Sequence, residues 1–131
     1  MRILALLALV VGALGVVRAA QGDSKPLTPV EARKKVGEKI TVEMTVLAAK
    51  DRLEKRGEIY LDSETDFHDE RDFAVVITKA GAASLKETGI DNPAEYYKDK
   101  KIRARGMVKE VDKVPRIEIH NARQITIADR P

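Results

Sequence analysis

The chain has 131 residues, no cysteine and a formal charge of +3. That length suits one domain and excludes a TIM barrel or a two-domain nucleotide enzyme. The lack of cysteine excludes disulfide staples, thiolate catalysis and cysteine-based zinc or iron–sulfur sites, so the fold rests on an ordinary hydrophobic core.

Arg2 precedes an almost unbroken apolar run, Ile3–Val17, and small residues follow at Ala19 and Ala20. A positive start, an apolar stretch and a small-residue exit predict a secretory signal peptide over 1–19. The run is shorter than the roughly 18–20 apolar residues that a spanning helix needs. Cleavage after Ala19 places Val17 and Ala19 at the small-residue positions, and it predicts an exported chain, periplasmic or extracellular, with no membrane attachment. Cleavage removes Arg2 and Arg18 and leaves 22 basic against 21 acidic residues. The basic character of the precursor is therefore no argument for a nucleic-acid partner.

Residues 20–29 are small, polar and proline-containing and predict a flexible lead. A brief helix follows, with Thr28 as N-cap, Pro29 at its first position, Glu31 three residues after the cap and Gly37 at its end. In KITVEMTVLAA (39–49), Ile40, Val42, Met44 and Val46 alternate with polar residues, which predicts a half-buried first strand. The charged segment 50–57 predicts a turn, and Glu58–Asp62 a second strand with Ile59 and Leu61 inward. After an acidic loop (63–71), Asp72–Thr78 predicts a third strand. Residues 79–89 predict a short helix closed by Gly89, and Asn92 caps another turn that begins at Pro93. Lys100–Glu110 predicts a fourth strand bent at Gly106. Val111–Pro115 predicts a turn, Arg116–His120 a fifth strand, and Ala122–Ile127 its continuation or re-pairing. A short tail, 128–131, completes the chain.

Five strands with a helical insert between the third and fourth predict an all-β, five-stranded Greek-key barrel of OB-fold type over 30–127. An immunoglobulin-type sandwich would need more strands and no insert. The stretch Lys100–Val108, then Pro115, Ile117 and Ile119, then Gln124, Ile125 and Ile127, resembles the closing half of nucleic-acid-binding OB-fold domains of the anticodon-binding-like type. It also resembles, more loosely, small periplasmic bacterial OB-fold proteins. Asp99 and Lys113 stand where that pattern carries glycine, which often supplies positive φ in turns. The resemblance implies a fold more than a ligand.

No nucleophile elbow, P-loop, zincin motif or dinucleotide fingerprint occurs, and Ser63, Ser84, His68 and His120 form no sequence-level triad. The expectation is a non-enzymatic binding module without a cofactor. The acidic stretch 58–72 carries seven acids and one base. It fails the EF-hand pattern, because Phe67 replaces the required glycine and Phe73 the bidentate glutamate, so no metal ligands are assigned. The segment 98–116 carries eight bases and three acids. Strand parity puts Arg103, Arg105 and Lys109 on one outer face, extended by Arg116. OB folds bind across strands two and three and the loops joining strands one–two and four–five. Here those loops carry Lys50, Arg52, Lys55 and Arg56, and Lys113. Tyr60 has outer parity and offers a stacking surface. The expected partner is single-stranded nucleic acid or another polyanion. The alternatives are a protein-interaction domain and a small-ligand or cation-binding envelope stress protein.

Overall fold

The computed structural model describes residues 25–128. The expected signal peptide, the first residues of the lead and the last three of the tail lie outside the described residues. The first element is α1 (Pro29–Ala32), and it forms for the expected reason. Thr28 Oγ1 accepts from the Glu31 N–H, and the Glu31 carboxylate accepts from the Thr28 N–H at 2.9 Å. This reciprocal cap satisfies two donors that a helix start otherwise leaves open. Leu27, inside the expected lead, already bridges Val42 in parallel.

The first expected strand is two. β1 (Lys39–Thr45) and β2 (Ala48–Arg52) are separated by Val46 and Leu47. Val46 N–H donates to Lys100 C=O, whereas Leu47 N–H donates to Asp62 C=O. The chain changes pairing partner between these two residues. Val46 stays buried and Leu47 turns outward. Most of the expected 50–57 turn is strand or helix. Lys50–Arg52 pair in β2, α2 (Leu53–Arg56) makes one helical turn, and Gly57 closes it at φ 73°. β3 (Glu58–Asp62) returns antiparallel to β2.

β4 (Ala74–Thr78) follows the acidic loop, and α3 (Lys79–Glu87) and α4 (Pro93–Tyr97) form the helical insert. β5 (Lys101–Val111) and β6 (Val114–Ile119) form a hairpin on a two-residue turn, Asp112–Lys113, both at positive φ. That turn is tighter than the five residues expected. A 3₁₀ turn at Ala122–Gln124 leads to β7 (Ile125–Ile127), which re-pairs onto β5 at Ile102–Ala104.

The strand order is β1-β5-β6-β4-β3-β2, with β7 also on β5. The β4–β6 pair is parallel and the other ladders are antiparallel. The two ends of this order are the two halves of one bent strand, so the sheet curls around a single core. Seven strands replace the expected five because the curl breaks the first strand and the 3₁₀ turn detaches the last. Of the alternating positions expected inside the first two strands, Val42, Met44, Val46, Ile59 and Leu61 are buried and Ile40 is half-buried, and Val75, Ile77, Ile102, Ala104, Val108, Ile117 and Ile119 of the later strands are buried with them. Phe73, Leu85, Tyr97 and Ile125 join this core. Each such side chain contributes about 1.5–3 kcal/mol on burial.

Candidate functional site

Register fixes which side chains share the outer face. Lys50 lies opposite Tyr60, Tyr60 opposite Val76, and Val76 opposite Glu118. In the next row Ala48, Asp62, Ala74 and Arg116 follow one another, with Lys109 beyond Arg116. A cleft of about 350 Å³ runs along this face, and its lining includes Lys50, Arg52, Arg56, Tyr60, Asp62 and Arg116. The β5–β6 turn closes one side, and Thr65 and Phe67 of the acidic loop add to the lining. Phe67 is half exposed.

The cations of this cleft are not equivalent. The Arg116 guanidinium meets Glu58 at 3.0 Å and Glu118 at 3.2 Å, with little of its side chain exposed. Lys109 and His120 also approach Glu118. The Tyr60 hydroxyl donates to Glu58. Partial burial raises the Glu58 carboxyl, but the Tyr60 hydroxyl and the Arg116 guanidinium outweigh it and hold the group below the ordinary glutamate value. Burial and then Glu58 push the Tyr60 hydroxyl up. Arg116 is thus neutralised within the fold. Among the described residues, no carboxylate lies within 4.0 Å of the cationic ends of Lys50, Arg52 or Arg56.

The expected basic stripe does not hold together around the barrel. Tyr60, Arg52 and Arg116 reach the cleft, and Lys109 adjoins it through Arg116. Arg103 and Arg105 lie on the half of β5 paired with β1 and β7. There Arg103 pairs with Glu43 at 2.9 Å, and Arg105 donates to Arg123 C=O. Lys55 lines a separate, more open depression of about 930 Å³ against α3, with Arg52, Lys79 and Lys86 but also Asp51, Glu54 and Asp91. Lys113 sits at the hairpin turn at φ 67°. Parity distinguishes inside from outside but not position around a curled sheet, and this separates Arg103 and Arg105 from Tyr60. Phe67 has no periodic neighbours that could have marked it. Lys50 and Arg56, by contrast, belong to the basic rim legible in the sequence.

The acidic stretch is largely occupied by its own contacts. Asp66 accepts from the His68 N–H, and Asp69 binds the Arg71 guanidinium. His68 stacks on Phe67 with centroids 4.0 Å apart. Among the described residues, no three His, Cys, Asp or Glu side chains come together to hold a metal ion. Two carboxyls of this stretch are buried, those of Asp62 and Asp72. Burial, and then the neighbouring Asp62 carboxyl, push Asp72 up to about 8. Burial raises Asp62 as well.

No family model and no curated protein matches this chain. Solved structures do. Asparaginyl-tRNA synthetase from Pyrococcus horikoshii aligns at a TM-score of 0.53 and 12% identity over 79% of this chain and 23% of that one. A protein assigned as an aspartyl-tRNA synthetase from Leishmania major Friedlin aligns at 0.54 and 8% identity, over 83% and 21%. An OBody bound to hen egg-white lysozyme aligns at 0.54 and 16% identity, over 82% and 96%. This chain therefore spans less than a quarter of either synthetase and nearly all of the OBody. At these identities the likeness is one of fold, and the fold is the OB fold.

Proposed function

We propose that the protein is a non-enzymatic OB-fold binding module, exported from the cytoplasm, whose cleft takes single-stranded nucleic acid or a similar polyanion. The observation that carries this reading is the cleft itself. It lies across the two strands and beside the two loops that OB folds use for oligonucleotides. It sets Tyr60 among Lys50, Arg52 and Arg56, three cations without carboxylate partners among the described residues. An aromatic face among free cations suits a base with its flanking phosphates. The fold neighbours are compatible with this ligand, but a shared fold alone does not assign one.

A fluorescence-anisotropy titration with labelled oligothymidine at low salt tests the reading. Binding is expected to weaken linearly with log salt, with a slope near −2 if the three free cations each meet a phosphate, at about −0.7 per contact. Tyr60→Ala should cost about 1–3 kcal/mol of binding. Arg52→Ala or Arg56→Ala should flatten the slope, whereas Arg103→Ala and Arg105→Ala, away from the cleft, should leave it unchanged. No binding at micromolar protein would favour a protein partner instead, the kind of ligand that the lysozyme-bound OBody holds. Export is tested separately by mass spectrometry of the native protein, and an intact Met1 would refute cleavage.

A further inference from the structure

The acidic loop leaves the sheet at Asp62 and returns at Asp72, and its neck is stitched shut. Ser63 N–H donates to Phe73 C=O at 3.1 Å, and Phe73 N–H donates to Ser63 Oγ at 3.0 Å. Glu64 N–H donates to Asp72 Oδ1 at 3.0 Å. The second oxygen of Asp72, Oδ2, is buried and receives no N–H or hydroxyl hydrogen among the described residues. Asp62 lies opposite Ala74, so Asp72, two residues before Ala74, is its diagonal neighbour on the same face, and both carboxyls are buried there. Two buried carboxylates in that position would repel, whereas one proton between them converts the contact into an O–H···O bond. The surrounding charges are mixed. Lys50 on β2 and Arg116 on β6 face Asp62, Glu64 faces Asp72 from the loop, and Arg33 beside α1 donates to Asp72 C=O.

We infer that Asp62 and Asp72 hold one shared proton, and that this proton ties together the two ends of the loop and so seats Thr65 and Phe67 as a lip of the cleft. The pair makes the lip proton-dependent. When the proton leaves, a second negative charge appears beside Lys50 and Arg116, and the neck loses a hydrogen bond. Both changes act against a polyanion. The effect on affinity rests on the proposed ligand class, but the shared proton and the tied loop do not.

Two measurements on the full chain separate these parts. The first needs no ligand: carboxyl carbon NMR and amide exchange at Glu64 and Phe73, followed from pH 5 to 9.5. One aspartate carboxyl should titrate near pH 8, with protection of both amides falling on the same step. Asp72→Asn, whose amide can donate where the proton did, should abolish the step and keep the protection at pH 9. Asp62→Asn serves as the second variant and should also remove the step. Titration of both carboxyls below pH 5 would overturn the shared proton, and unchanged protection across the step would overturn the tied loop. The second measurement is oligothymidine affinity over the same range at constant ionic strength. It should fall by about threefold or more in the wild type, the effect of one unit charge across roughly 6 Å of water, and stay flat in Asp72→Asn. If the NMR step is present and no oligothymidine binds at any pH, the polyanion reading fails and the shared proton stands. If binding occurs but does not vary with pH, the gating of the ligand is refuted and the polyanion reading stands.

Discussion

Asp99, Asp112 and Lys113 hold left-handed backbone at φ 66°, 52° and 67° without the residue that adopts it most easily. For a non-glycine residue that conformation costs roughly 1–2 kcal/mol. Two of the three, Asp99 and Lys113, stand where the OB pattern carries glycine, so the turn geometry persists although the chemistry has changed. Asp112 and Lys113 are the central pair of a two-residue hairpin, a site that favours Asn-Gly or Asp-Gly. Lys113→Gly should therefore stabilise the protein, by about 0.5–1 kcal/mol once the greater unfolded-chain entropy of glycine is subtracted. Urea melts check this, and a loss of stability would mean that Lys113 is not strained. The residue scale was also where the sequence was most legible. Thr28, Pro29 and Glu31 form their capping box, and the inward set of each strand is buried, because parity and caps depend on neighbours one to three residues away. The partners of Arg103 and Arg116 were not legible, because Glu43 and Glu58 approach them only through strand pairing.

At the scale of elements, α3 is held against the end of β6 by a contact that leaves no room for a side chain. A Cβ on Gly81 would lie 2.1 Å from Ile119 C=O oxygen. Thr78 binds the same region, accepting from Gly81 N–H and donating to Ile119 C=O. In an ordinary helix Gly→Ala stabilises by about 1 kcal/mol. Here Gly81→Ala should reverse that sign and cost about 1–3 kcal/mol or more, because backbone must move to admit the methyl group. Thermal melts of the pair give the sign directly, and a stabilised variant would show that α3 can shift freely. The bend of the first strand belongs to the same scale. Alternation runs through Ile40, Val42, Met44 and Val46 without a break, so periodicity gave no warning at Leu47. The change of partner there is imposed by β3 and β5, which lie on opposite flanks of the bend. A charged run such as Lys50–Arg52 pairs as strand because its side chains face solvent and the cleft.

Over the whole molecule, the buried pair at the loop neck has a further effect, on stability against pH. The folded-state value of Asp72 is raised to about 8, above an unfolded value near 4. Between the two, the folded state holds a proton that the unfolded chain has released. Stability from this group is fully present below pH 4 and is lost as pH rises through 8. Glu58 acts with the opposite sign, since its value is lowered by folding and its contribution is lost as pH falls. The melting temperature should therefore be highest in the mildly acidic range and decline toward pH 8. Asp72→Asn should flatten that upper limb, and calorimetry across pH 4–9 measures it. An upper limb that declines equally in both proteins would remove Asp72 as the cause.

The ladder that joins β1 to β5 also sets a timetable. Glu43 and Arg103, partners across it, are 60 residues apart. While the chain is being made, β1 has no strand to pair with until β5 has emerged, and β4, already beside β3, waits for β6 on its other flank. Closing these long loops before their own ladders reward them makes assembly of the curled sheet slow, in the range of milliseconds to seconds. Synthesis at about 5–20 residues per second leaves the first half waiting for several seconds. During that interval only the β2–β3–β4 meander has its partners, and β1 stays without its own.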